Sequence, residues 1–94
     1  MNRRKQATDV FEQVGFDKNE AANLRLRSAM MDALIAEIEK QGLTQAQVAK
    51  RLGVTQPRIS DLMRGKLHLF SIDNLVALLA AVGLRVEMKV RKVA

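Results

Sequence analysis

The chain has 94 residues, enough for one domain in which only about two-thirds of the unfolded surface can be buried. It is 48% hydrophobic but holds three Phe and no Trp, Tyr or Cys, so its core is aliphatic and neither disulfides nor thiolate metal sites are available. The formal net charge is +6, the N-terminal MNRRKQATDVF lacks the apolar stretch of a signal peptide, and the longest apolar run, residues 76–84, is too short to span a bilayer, so a soluble, cytoplasmic protein without a membrane is expected.

Residues 1–19 show no sustained period. A short apolar triplet, Phe11, Val14 and Phe16, is interrupted at Gly15 and reads as a partly ordered arm, with Arg3, Arg4 and Lys5 either tracking a polyanion or merely solvated. From Glu20 to Gln41, Leu26, Met30, Leu34 and Ile38 recur every four residues, widened by Met31 and Ile35, and Gly42 supplies a stop; this predicts the first helix. Thr44 then caps a short second helix carrying Val48, Ala49 and Leu52, ended by Gly53. Thr55 caps a third, with Pro57 in its first turn, where a missing N–H costs nothing, and with Ile59, Leu62 and Met63 on its apolar side before Gly65. Ser71 caps a fourth, built on Ile72, Leu75, Val76, Leu79 and Val82 and closed by Gly83.

The period then changes. Leu84, Val86, Met88 and Val90 alternate with Arg85, Glu87, Lys89 and Arg91, the pattern of a half-buried strand. No second strand is visible in the chain, and a lone strand leaves its backbone donors and acceptors unmatched. The economical partner is the same strand of a second copy. With the two-fold axis at Met88, Val86 faces Val90 and Glu87 faces Lys89, while Arg85 opposite Arg91 is the cost of that register. Val86, Met88 and Val90 are therefore the expected dimerisation residues.

Charge is distributed unevenly along these elements. Residues 1–5 carry +3, residues 6–39 carry −4, residues 40–66 carry +5 with Asp61 as the one acid, residues 67–84 carry −1 and residues 85–94 carry +3. Such clustering marks a polyanion partner. Sequence-specific readers of single-stranded RNA lean on aromatic stacking, for which this chain is poorly equipped, so duplex DNA is the expected polyanion.

The segment LTQAQVAKRLGVTQPRISDLMRGK joins the second and third helices through a Gly-containing turn, the connection that sets two helices near a right angle and frees the second to enter a major groove. Ala49 allows close approach, Gly53 permits a positive φ, and Val54 and Ile59 lock the corner from inside. With Ile59 directed at the core, a turn of 100° per residue leaves Pro57, Ser60, Asp61 and Arg64 on the opposite face, Gln56 at the leading end and Arg58 on the flank. Gln56 can bond an adenine edge, Arg58 a guanine edge or a phosphate, Asp61 a cytosine amine, and Pro57 offers apolar contact to a thymine methyl. Gln45 and Thr55 stand at helix N-termini, where amides favour phosphate, and Arg64 and Lys66 follow the third helix onto the backbone.

The run TQAQVAKRLGVTQPRISDLMRGK resembles the Cro/repressor, or xenobiotic-response-element (XRE), class of helix-turn-helix regulators. With VFEQVGF, the long first helix, RGKLHLFSIDNLVALLAAVG and the basic C-terminal strand, the likeness runs from about Val10 to the end and is similar to the compact, HigA-like subgroup often found as antitoxins beside ribonuclease toxins. The resemblance implies that Gln45, Thr55, Gln56, Pro57 and Asp61 contact DNA.

Nothing in the sequence suggests an enzyme. His68 is the lone histidine, Glu37 and Glu39 have no nucleophile or base at helical spacing, and no phosphate loop or metal spacing occurs, so no catalytic, cofactor-binding or metal residue is assigned. The expected fold is all-α, four or five short helices with a helix-turn-helix, plus a C-terminal β-strand paired across a dimer. Residues 1–19 form an arm, 20–83 the DNA-binding domain and 84–94 the dimerisation strand. The expected function is sequence-specific repression by a homodimer on a palindromic operator, alone or as the autoregulating antitoxin of a small ribonuclease toxin. The alternative is an interaction module whose main role is toxin neutralisation.

Overall fold

A computed structural model of the chain describes residue 11 and residues 13–93. Helix α1 (Lys18–Gln41) is the long scaffold; α2 (Gln45–Leu52) and α3 (Gln56–Met63) form the central pair; a 3-10 turn (Leu67–Leu69) follows, and α4 (Ile72–Ala81) returns across α1. Each boundary has a local cause. The Glu20 backbone N–H donates to the Asp17 carboxylate at 2.7 Å, so α1 begins before the apolar period does. That N–H is also the main reason the Asp17 carboxyl lies below its usual range. Thr44 with Gln47, and Ser71 with Asn74, form reciprocal capping boxes at α2 and α4, while the Thr55 hydroxyl accepts from the Arg58 N–H at the start of α3.

The core lies where these helices meet. Met31, Leu34 and Ile38 of α1, Val48 of α2, Ile59 and Leu62 of α3, and Leu75 and Leu79 of α4 are buried around Phe70, which is 1% exposed. Leu26 belongs to the sequence period of α1 but is 49% exposed and lies outside the buried core cluster, which on α1 begins at Met30.

The C-terminal strand expected from the alternating pattern is not formed: among the described residues the chain is helical and contains no strand. After the Leu84 N–H bonds the Leu79 carbonyl at 2.9 Å, residues 85–93 run without regular structure. Val86 is 41% exposed, and Met88 and Val90 are each over 80% exposed. The physical reason is the one that made the strand conditional: a strand is closed by a neighbour's backbone, and none is supplied among the described residues. Alternation describes which way side chains would point, not whether a ladder exists. The one local tie in the segment is an exposed Arg85–Glu87 pair at 3.3 Å, between residues two apart on the same side.

Of the arm, Val14 and Phe16 are exposed and the Phe16 N–H donates to the Phe11 carbonyl at 3.2 Å. The basic cluster Arg3, Arg4 and Lys5 lies outside the described residues.

Candidate nucleic-acid interface

The α2–α3 corner is built almost wholly from neighbours in sequence. Leu52 ends α2, Gly53 takes φ +69°, and the Val54 N–H reaches back to the Ala49 carbonyl at 3.0 Å, closing the α2 C-terminus. A Cβ at Gly53 would meet nothing within 4 Å, so the need for glycine there is conformational rather than a matter of space. Two residues later Thr55 caps α3, and Val48, Ala49 and Ile59 meet in the buried angle of the corner.

With Ile59 and Leu62 buried, α3 turns a polar surface outward. Gln56, Pro57 and Arg64 are exposed, and Ser60 and Asp61 are half-buried. Thr55 stands exposed at the α3 N-cap and Gln45 exposed at the first position of α2. The sequence-predicted set thus falls on the α2–α3 unit and the chain just after it. Val86, Met88 and Val90 lie apart, in the irregular C-terminal segment.

Three charged members of the set are engaged within the protein. Lys66 Nζ lies 3.2 Å from Asp61 Oδ1, with both side chains about one-third exposed. The backbone repeats the tie, since the Lys66 N–H bonds the Asp61 carbonyl at 3.0 Å. Arg58 is held more firmly. Its Nη1 donates to the Leu69 carbonyl at 2.8 Å, its Nη2 to Asn74 Oδ1 at 3.2 Å, and its guanidinium lies 3.9 Å from the centre of the Phe70 ring. The Arg64 guanidinium, by contrast, has no hydrogen-bond or ion-pair partner among the described residues, its backbone N–H alone bonding the Ser60 carbonyl.

Sequence reasoning missed Arg27 and Asn74. From α1, Arg27 Nη1 donates to both the Leu67 and the Phe70 carbonyls at 3.2 Å, with its Nε held by Asn23 at 2.6 Å. Asn74 caps α4 and also accepts from Arg58. Within the sequence only the spacing Asn23–Arg27, one helical turn, hinted at the first arrangement. Among the described residues no three His, Asp or Glu gather as a metal-binding group, and no helix is long and apolar enough to cross a membrane.

A model of a helix-turn-helix domain family matches residues 10–91, so the chain belongs to that helix-turn-helix family. A solved structure described as a "Putative XRE Family Transcriptional Regulator" is similar at 38% identity, with a TM-score of 0.72, over 78% of this chain and 82% of that one. The architecture is accordingly that of an XRE-type helix-turn-helix regulator. No curated protein matches the chain.

Proposed function

We propose that this protein is a sequence-specific DNA-binding transcriptional repressor. The observation that carries the reading is α3 itself: its apolar side is locked into the corner by Ile59 and Leu62, and its opposite side presents Gln56, Pro57, Ser60 and Asp61 within a stretch of net charge +5. A polar helix face held at a fixed angle beside a cationic surface suits base-edge reading flanked by phosphate contacts. Gln45, Thr55, Arg64 and Lys66 supply the phosphate side and Gln56, Pro57, Ser60 and Asp61 the groove side. The protein works without catalysis, in the cytoplasm. A homodimer reading a palindromic operator places paired α3 helices about 34–36 Å apart on one DNA face.

The finer reading, an autoregulating antitoxin of a small ribonuclease toxin, rests on the sequence resemblance. The exposed apolar residues Val86, Met88, Val90 and Val93 favour a protein partner for the C-terminal segment, which keeps toxin neutralisation as the second reading.

Selection from a random-sequence duplex library, followed by mobility shift on the recovered duplex and on the DNA upstream of the protein's own gene, tests the reading. A recovered palindrome and a dimer by sedimentation are expected. Gln56→Ala should cost about 1–3 kcal/mol and relax preference at one base pair, whereas Arg64→Ala should weaken all sequences alike and flatten the salt dependence by about one contact. Equal loss on selected and random DNA in the Gln56 variant would overturn the assignment of α3 as the reading helix.

A further inference from the structure

We propose that Arg58 is a positioning residue: without touching DNA it fixes α3 against the 67–70 turn and the start of α4, and through that sets how accurately α3 reads sequence. The inference rests on the DNA-binding reading above and deepens it.

The argument begins with what holds α3. The helix has eight residues, about two turns, too short to be stable by itself. Ile59 and Leu62 set its depth in the core, and the Gly53–Thr55 turn ties its N-terminus to α2. These constraints fix which face of α3 points inward but leave its fine rotation and its distance from α4 to be held from the flank. Arg58 stands on the flank where both would be fixed. Its guanidinium spans from α3 to two acceptors on different parts of the chain, the Leu69 carbonyl and Asn74 Oδ1, and lies against Phe70.

Three features make this more than a surface contact. Phe70 is 1% exposed, so the guanidinium rests on a ring that cannot swing away. Asn74 is itself pinned by the Ser71 capping box, its Oδ1 also accepting from the Ser71 N–H at 3.2 Å. The turn that offers the Leu69 carbonyl is gripped from its other side by Arg27, whose Nη1 reaches the Leu67 and Phe70 carbonyls. The acceptors are thus rigid, and a rigid acceptor pair with a planar fork defines an orientation, which a lysine ammonium on a flexible stem cannot. Hydrogen bonds to base edges weaken steeply beyond about 3.2 Å, so a small rotation of α3 would remove Gln56 from its base while leaving the longer-range attraction to phosphate nearly intact. Two of the five Arg58 N–H donors, one on Nη1 and one on Nη2, are used inside the protein.

The test uses the full chain, the duplex it selects from a random library and a scrambled duplex of the same composition, with Arg58→Met and Arg58→Lys. Both variants should lose about tenfold on the selected duplex, the low end of one mismatched base pair, with little change on the scrambled one. The salt slope should stay that of the wild type, and lysine should not rescue. In the free protein, amide exchange across residues 67–71 should accelerate in both variants while the α1 core stays protected. A salt slope shallower by about one contact in Arg58→Met, with affinity restored in Arg58→Lys, would make Arg58 a phosphate contact and overturn the proposal. So would an unchanged ratio of selected to scrambled affinity, or unchanged exchange in the 67–71 turn. A wild-type chain that enriches no duplex would overturn the DNA reading and the specificity role with it, and the exchange measurement would then report the clamp alone.

Discussion

The 67–70 turn and the 85–93 segment both lie outside the α-helices, yet the first is as firmly built as a helix and the second is not. In the turn, three carbonyls and one ring are satisfied from elsewhere in the chain. The Leu67 and Phe70 carbonyls accept from Arg27, the Leu69 carbonyl accepts from Arg58, and the Phe70 ring is buried at the centre of the core. The longer C-terminal segment has more backbone to satisfy and leaves Met88, Val90 and Val93 almost fully in water. Irregular chain is stable where side-chain donors reach its carbonyls and an apolar group anchors it; a regular alternation of residue types supplies neither.

The sharpest way to break this contrast is at the anchor. Phe70→Ala should cost about 3–5 kcal/mol in denaturant unfolding, because it empties the centre of the core and removes the ring beneath Arg58. Next comes the clamp: Arg27→Met keeps the aliphatic stem but leaves the part-buried Phe70 carbonyl without its donor and the Leu67 carbonyl with the Phe70 N–H alone, a loss of about 1–3 kcal/mol by the same measurement. Ser71→Ala, which removes the hydroxyl that caps α4 just beyond the turn, should cost about 0.5–2 kcal/mol. At the other extreme, a chain ending at Glu87 should unfold within about 0.5 kcal/mol of the full-length protein, since the side chains of residues 88–93 are exposed. A truncation that destabilised the monomer substantially would erase the distinction between the two segments.

The same contrast explains what could be read from the sequence. The caps at Thr44, Thr55 and Ser71 and the turn at Gly53 were legible because each is closed by groups three or four residues away. The outward face of α3 was legible because helical periodicity alone sorts Ile59 and Leu62 from Gln56, Pro57 and Ser60. Arg27 was not: its partners lie 40 and 43 residues further along, and no local pattern announces a bond from a side chain to a distant carbonyl. Arg58 was legible as a cation but not as an engaged one, since charge clustering counts guanidinium groups without showing which are occupied. The strand failed for a related reason. Helical bonds close within one segment, whereas a ladder needs a second one, and the pattern of residues 84–90 specified only half of it.

One pairing on α3 bears on how the protein would let go of DNA. Lys66 sits 3.2 Å from Asp61 and so carries its own counter-ion, covalently attached to the same chain. On the proposed reading, a phosphate that takes Lys66 must displace that carboxylate, which is then free to accept from a base edge in the groove. Lys66 therefore behaves as an exchangeable ligand between two anions, one of them always present at high local concentration. Its hold on DNA is discounted by that standing competitor, and a phosphate that loosens is replaced at once by Asp61 instead of waiting for an ion to diffuse in. On that reading release is built into the surface at this position, whereas at the Arg64 guanidinium, which has no such neighbour among the described residues, a phosphate would compete only with solvent and salt.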